Sequence, residues 1–216
     1  MQKLLSEAVM LPSLLQQADS LFLLGQQIQA PEIGRVIKLF GAFHSQLVNR
    51  EVILAAEGQQ PYGLRGMSPY EAGEIGNTRA SSQRLCYSSV TMANIFTHLW
   101  AFQIVCLTEI QRIITAFPCV DLSRFIPPDL SFGDSTQSEE HIASLAVQVS
   151  RSMDYLLQDE MELFGPASTF FPLRVAYEYF KKHDSKRMDD IVFIEVIVQR
   201  LEQKGFLCAR ALVMNV

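Results

Sequence analysis

The sequence lacks the basic clusters that direct binding to nucleic acid requires. It has 18 Lys and Arg against 23 Asp and Glu, a net charge of -5 and an isoelectric point near 5.4. Its most basic stretch, residues 181–187, is interrupted by Asp184. Nucleic-acid-binding domains usually have a basic patch and a high isoelectric point. We therefore expect no direct nucleic-acid binding and interpret the basic stretch as a solvated turn between helices.

Motifs for metal, cofactor or covalent chemistry are also missing. The four cysteines form no CxxC pair, and none stands beside a second Cys or His at metal-ligand spacing. The sequence contains no glycine-rich phosphate loop, nucleophile elbow or His-Glu-x-x-His motif. We expect neither a metal nor a cofactor. The thiols are interpreted as reduced core residues of a cytoplasmic or nuclear protein: Cys86, Cys106, Cys119 and Cys208.

Neither a secretory signal nor a membrane span is predicted. Glu7, Pro12 and Asp19 interrupt the apolar N-terminus, which excludes the hydrophobic region of a signal peptide. Residues 85–108 carry no formal charge, but their polar side chains are too numerous for a lipid-facing helix. These polar residues are Ser88, Ser89, Thr91, Asn94, Thr97, His98 and Gln103. The segment is predicted to be a buried helix.

What the sequence does contain is the pattern of an all-α protein. Hydrophobic residues make up 49% and charged residues 19% of the chain, which suits a packed core. Apolar residues recur at three- and four-residue steps, as on amphipathic helices. We predict one domain over residues 1–216, an irregular multi-helix array around a long buried central helix at about 87–117. Further helices are expected before Pro12 and at about 13–26, 31–57, 136–161, 168–182 and 186–204.

Two loops interrupt this pattern. The first, 58–84, is dense in glycine and proline, and a connection this long is often a lid, a binding loop or a disordered insert. A mobile lid and a passive linker both remain open. The second loop is 118–134. Gly165-Pro166 is expected to end the helix before it, and no strand is predicted, because the β-prone residues 191–198 continue the helical spacing.

The strongest candidate site centres on His98 in the most hydrophobic helix. Thr91, Asn94 and His98 lie on one line of that helix, and Trp100 follows closely. A lone helical histidine is more often a satisfied core residue than a site. If His98 lines a cavity, it is a candidate catalytic acid or base, and Asn94, His98 and Trp100 are candidate ligand-binding residues.

Several other charged or titratable residues are given structural roles. His44, His141 and His183 are interpreted as surface or edge residues. Asp159-Glu160 lie near a helix end, where acids are disfavoured. An ordinary ion pair with Arg174 is expected there.

Residues 142–212 resemble the C-terminal end of fungal zinc-cluster (binuclear Zn2Cys6) transcription factors, particularly regulators of secondary-metabolite gene clusters. The final helix ending in Lys204-Gly205-Phe206 is similar to that family, and the helix with Leu99-Trp100 resembles it less specifically. The main carriers are Ser152-Met153-Asp154-Tyr155-Leu156-Leu157-Gln158-Asp159-Glu160-Met161, Leu163-Phe164-Gly165-Pro166 and Phe171-Pro172-Leu173-Arg174-Val175-Ala176.

The resemblance implies an all-α regulatory module, corresponding to about the C-terminal half of the family's regulatory region. The six-cysteine DNA-binding cluster of the family is absent from these residues, so zinc and DNA binding are not carried over. Gly165-Pro166 and Phe171-Pro172-Leu173-Arg174 are expected to be fold determinants.

Two functions follow as hypotheses. The first is a DNA-binding-deficient relative of these regulators that senses a small molecule or binds a protein, as a complex or a homodimer, in secondary metabolism. The second is a cofactor-independent isomerase or cyclase that acts on a hydrophobic fungal metabolite in a helical pocket, with His98, Asn94 and Trp100 as its polar groups and the 58–84 loop as a lid.

Overall fold

The computed structural model describes residues 2–24, 29–65, 83–126 and 135–215, and in these ranges the protein is all-α apart from one short strand pair. Its helices are α1 Gln2–Ala8, α2 Leu11–Leu24, α3 Ala30–Ala56, α4 Val90–Ala116, α5 Ser135–Leu156, α6 Phe164–Ala167, α7 Phe170–Lys182, α8 Asp184–Gln203 and α9 Ala209–Met214. Two 3-10 turns, Ser123–Phe125 and Asp159–Met161, and the strands β1 Tyr62–Arg65 and β2 Gln83–Cys86 complete it. The predicted fold class is confirmed.

Helix α4 is the centre of the array. It contacts α1, α2, α3, α5 and α7, and most of its side chains are buried. By length and composition α4 passes as a membrane span, but its neighbours in the fold cover it, which is the pattern of a core helix. The largest fully buried side chains include five from α4 and five from α3: Phe96, Leu99, Trp100, Ile104 and Ile110, and Ile33, Ile37, Phe40, Phe43 and Leu47.

Helix ends follow local sequence signals. Pro31 lies in the first turn of α3, where a missing N–H costs nothing. The Ser89 side chain accepts a hydrogen bond from the Met92 backbone N–H at 3.2 Å and caps α4. After α3 and α8, Gly58 and Gly205 have φ angles of 72° and 95°, left-handed conformations that end a helix at little cost for glycine.

The β-prone stretch 191–198 is helical, as predicted. It belongs to α8, where Ile194, Val198 and Leu201 are buried against α5, α7 and α9. Burial of this three- and four-residue stripe outweighs the β propensity of the branched side chains.

The expectation of no strand is wrong. Antiparallel strands β1 and β2 pair Tyr62 with Cys86 and Arg65 with Gln83, within or at the edges of the predicted 58–84 loop. The pairing joins segments that are distant in sequence, so local periodicity does not predict these strands. Residues 66–82, which make up most of the predicted 58–84 lid or linker, lie outside the described residues. In the second loop the turn Ser123–Phe125 is described, and residues 127–134 are not.

Gly165-Pro166 does not act as a helix stop. Helix α5 already ends at Leu156, and both residues lie inside the short helix α6. A Cβ on Gly165 would stand 2.3 Å from the Leu156 carbonyl oxygen and 2.6 Å from the Met161 Cβ. Glycine is therefore required here by close packing of α6 on the end of α5.

Three structural assignments also change. His44 is buried, with 4% of its surface exposed, because it lies on the face of α3 that packs on α4. Asp159 accepts a hydrogen bond from Lys204, at the end of α8, and not from Arg174. Cys119 and Cys208 are exposed, so only Cys106 is a fully buried thiol among the four.

We expect Gly165→Ala to lower the free energy of unfolding by about 3 kcal/mol, since the new methyl group meets backbone that cannot shift cheaply. Gly205→Ala is the matched control: a Cβ there has nothing within 4 Å, so only left-handed strain of about 1 kcal/mol applies. Urea denaturation measures both, and equal costs would contradict the packing explanation.

Candidate functional site

His98 lies at the junction of α4 and α7 among aromatic rings. Its imidazole ring centroid is 5.9 Å from that of Phe171 and 6.2 Å from that of Phe102. The two phenyl ring centroids are 5.2 Å apart. Phe171 remains 38% exposed, so this aromatic corner reaches the protein surface.

The hydrogen bond of His98 fixes its tautomer. Nδ1 lies 2.8 Å from the Asn94 backbone oxygen one turn earlier, and a carbonyl oxygen only accepts, so Nδ1 carries the proton. Burial lowers the pKa of His98, and the bond to Asn94 opposes this shift only in part. The ring is therefore neutral near pH 7, and Nε2 holds the lone pair.

Asn94 holds the turn after α6 against α4. Its side chain is fully buried, and its amide contacts the Ser168 hydroxyl, which also lies 2.6 Å from the Gly165 carbonyl oxygen. A hydroxyl has a single proton, so Ser168 Oγ shares its proton between Asn94 Oδ1 and the Gly165 carbonyl oxygen. Asn94 Oδ1 accepts from Ser168 Oγ, whereas its Nδ2 is buried without a hydrogen-bond partner among the described residues. The oxygen end of the Asn94 amide is therefore a structural contact of the turn.

Trp100 is not part of the His98 corner. Two residues along a helix correspond to a rotation of about 200°, and the indole faces α3. Its Nε1–H donates to Glu51 Oε1 at 2.9 Å, and Gln103 Nε2 donates to Glu51 Oε2, also at 2.9 Å. Of the predicted site, the structure brings Asn94 and His98 together and places Trp100 on the other side of α4.

Sequence reasoning missed Glu51. It is half-buried on α3 and accepts from the Trp100 and Gln103 side chains of α4. The sequence did contain a signal for Glu51. It lies four residues after Leu47 and three before Leu54, which places an acid on the apolar face of its helix. An acid at such a position indicates a buried partner.

Ser152 and Asp154 of α5 make contacts that hold the fold together. The Ser152 hydroxyl donates a hydrogen bond to the Gln148 carbonyl oxygen at 2.7 Å and accepts one from the Tyr87 hydroxyl at 2.6 Å. Asp154 accepts from Arg200 on α8 at 2.6 Å. These bonds connect α5 with the start of α4 and with α8.

An open cavity of about 580 Å³ lies away from His98, on the outer side of α3. It is lined by Pro31, Arg35, Lys38, Leu39, Ala42 and Phe125. In the described part of the chain, no three His, Cys, Asp or Glu side chains come together in an arrangement that suits a metal ion.

Comparison of the chain with family models, with curated proteins and with solved structures gives no match.

We expect His98 to make stability depend on pH. Because its pKa is lowered on folding, the unfolded chain binds a proton more readily, so stability is fully present above about pH 6.5 and falls as pH drops below that value. His98→Phe should remove this component. Urea unfolding between about pH 5 and 7.5 measures it, with exposed His141→Gln as the control. An unchanged pH profile in His98→Phe would contradict the assignment.

Proposed function

We propose that this chain is a protein-interaction module of the regulatory kind found in the C-terminal region of fungal Zn2Cys6 transcription factors. Its own residues carry no DNA-binding cluster, and it acts in the cytoplasm or nucleus on the regulation of secondary metabolism. The resemblance of residues 142–212 and the all-α architecture support this proposal.

The state of the core favours a surface function. Asn94 is engaged by the turn at Ser168, and Trp100 by Glu51. Phe96 and Leu99 beside them are almost wholly buried. The Trp100, Phe96 and Leu99 side chains and the Asn94 Oδ1 are committed to contacts within the fold, which favours an interaction module over a hydrophobic ligand chamber around α4.

The observation that carries the proposal is an apolar stripe on the outer face of α8, which we call the α8 stripe. Met188, Val192 and Val196 follow one another at four-residue steps and are 55%, 46% and 37% exposed. Four-residue steps keep side chains on one face of a helix. Exposed apolar stripes of this kind receive the apolar face of a second amphipathic helix.

The charges beside the α8 stripe favour a basic partner over a second copy of the chain. Asp189 and Glu195 are exposed and lie on opposite sides of the stripe at about 100° per residue. In a two-fold pairing of α8 with itself about Val192, Asp189 and Glu195 of both copies flank the shared stripe, whether the helices run parallel or antiparallel. The charges that such a pairing brings together are therefore of like sign. Such repulsion disfavours self-pairing. A helix with apolar residues flanked by Lys or Arg is complementary.

We expect Val192→Glu to abolish regulation without loss of stability, because it puts a charge in the exposed stripe and leaves the core intact. The measurement is the level of secondary-metabolite transcripts in the producing fungus, compared between wild type, a deletion strain and each variant. Val52→Glu, at a 60% exposed valine of α3, is the matched control. Val192→Glu should reproduce the deletion and Val52→Glu the wild type. Normal transcripts with Val192→Glu, at equal thermal stability, would contradict the proposal.

A second function, the cofactor-independent isomerase or cyclase, is favoured by one observation. His98 Nε2 is an unprotonated nitrogen in an aromatic corner that reaches the surface at Phe171, as proton transfer to or from a hydrophobic metabolite requires. In the same strains, His98→Ala distinguishes the two functions. An enzyme gives unchanged transcripts and an accumulated intermediate, whereas an interaction module gives wild-type metabolites from a folded variant.

A further inference from the structure

The cavity on the outer side of α3 is an open trough whose floor is one face of that helix. Pro31, Arg35, Lys38, Leu39 and Ala42 line it, and their spacing of four, three, one and three residues keeps them on one side of α3. From Pro31 to Ala42 this floor is about 16 Å long. We call the feature the α3 trough. It lies on a different helix from the α8 stripe.

Phe125 forms the opposite wall, and a glycine on α3 lets its ring approach the helix closely. Its ring lies against Gly34, where a Cβ would come within 2.4 Å of the ring carbons. Any larger residue at position 34 would push the ring away from α3. The wall is therefore a built feature of the packing between α3 and the turn Ser123–Phe125.

The α3 trough combines this apolar surface with positive charge. Arg35 and Lys38 stand one turn apart in its lining, and Lys38 Nζ lies 5.2 Å from the centre of the Phe125 ring. The Arg124 guanidinium carbon lies 4.7 Å from the same centre, with Asp121 as its neighbour. Within the described ranges, neither Arg35 nor Lys38 forms an ion pair with a carboxylate. Glu32, an exposed acid one turn before Arg35, and Asp121 offset part of this charge. The three cations still outnumber the two acids, and a net positive surface on a chain with net charge -5 favours a partner of opposite sign.

We propose that the α3 trough binds a short acidic amphipathic helix of a partner protein. The acidic side chains of that helix meet Arg35 and Lys38. Its apolar side chains pack on Leu39, Ala42 and Phe125. The floor of about 16 Å matches roughly three turns of helix, and helix-in-groove recognition uses apolar anchors at such spacings. This second interaction surface goes beyond the function proposed for α8 and does not depend on it.

The shape of the trough favours a peptide over a small organic anion. Small-molecule sites are clefts that enclose most of the ligand surface. Among the described residues, the α3 trough is lined by one helix face and one aromatic ring, and these enclose little of a small molecule. A helix laid along α3 covers the same surface without an enclosing wall.

The test uses the full-length protein and a fluorescein-labelled, end-capped peptide of about 12 residues with Leu and Phe on one face and Glu on the other. Fluorescence anisotropy measures its binding. A matched peptide with Lys in place of Glu is the ligand control. We expect saturable binding of the acidic peptide alone, weakening as salt rises from about 50 to 300 mM, because exposed charges are screened.

Variants assign the binding to the trough. Arg35→Gln with Lys38→Gln should weaken binding roughly tenfold, and Ala42→Glu should weaken it similarly. All three positions are exposed, so the fold is preserved, which circular dichroism checks. Arg174→Gln with Lys182→Gln, two exposed cations of α7, should leave binding unchanged, as should Val192→Glu on α8.

Four outcomes would overturn the proposal. In the first two, the acidic peptide shows no saturable binding, or the lysine peptide binds equally well. In the other two, the trough and α7 variants lose equal affinity for the acidic peptide, or Ala42→Glu does not weaken its binding. If dodecanoate binds the protein with the same sensitivity to Arg35 and Lys38 while the peptide does not bind, the trough takes a small anion and the proposal is wrong.

Discussion

The burial of α4 on nearly all sides is the constraint on which the rest of the structure depends. A helix in that position must be apolar all round, and each polar side chain that it carries needs a partner. Thr97 and Thr108 donate back to carbonyl oxygens of their own helix. Trp100 and Gln103 share the carboxylate of Glu51 on α3. These bonds fix how α3 packs on α4, while aliphatic burial supplies most of the stabilisation.

The same constraint explains the turn between α5 and α7. Asn94 is a fully buried polar residue on the α7 side of α4, and its Oδ1 accepts from Ser168 only because the chain folds tightly back after α5. Gly165 permits that return, because its missing Cβ leaves room for the end of α5. His98 then lies against Phe171 at the start of α7. The arrangement of α5, α6 and α7 therefore follows from contacts with one face of the central helix.

Most of the helices could be predicted from the local sequence. Their apolar residues recur with helical periodicity, and Pro31, Gly58 and Gly205 mark helix ends. The strand pair β1–β2 could not be predicted, since its hydrogen bonds join distant segments. The helix α6 could not be predicted for a related reason. Gly165 and Pro166 disfavour helix locally, and only the close packing of α6 on α5 explains why they are helical. Local rules describe what a segment prefers, and tertiary contacts decide the exceptions.

The candidate site was predictable only in part. His98 and Asn94 could be placed together because they stand one turn apart, whereas Trp100 is separated from them by the rotation of the helix itself. Glu51 could have been identified from the sequence as an acid on an apolar helix face, but its hydrogen-bond partners could not. The two surfaces proposed for binding have opposite charge character: the α8 stripe is flanked by acids, and the α3 trough carries Arg35 and Lys38. They could not be recognised from sequence, because exposure is decided by what the neighbouring helices leave uncovered.

Hydrogen exchange measured by mass spectrometry tests most directly whether α4 is the buried centre about which the other helices assemble. We expect the backbone amides of Val90–Ala116 to exchange only through global unfolding, with the protection that corresponds to the full free energy of unfolding, while those of α1 and α9 exchange through local opening. Exchange of α4 as fast as that of α9, at a denaturant concentration where the protein remains folded, would contradict this.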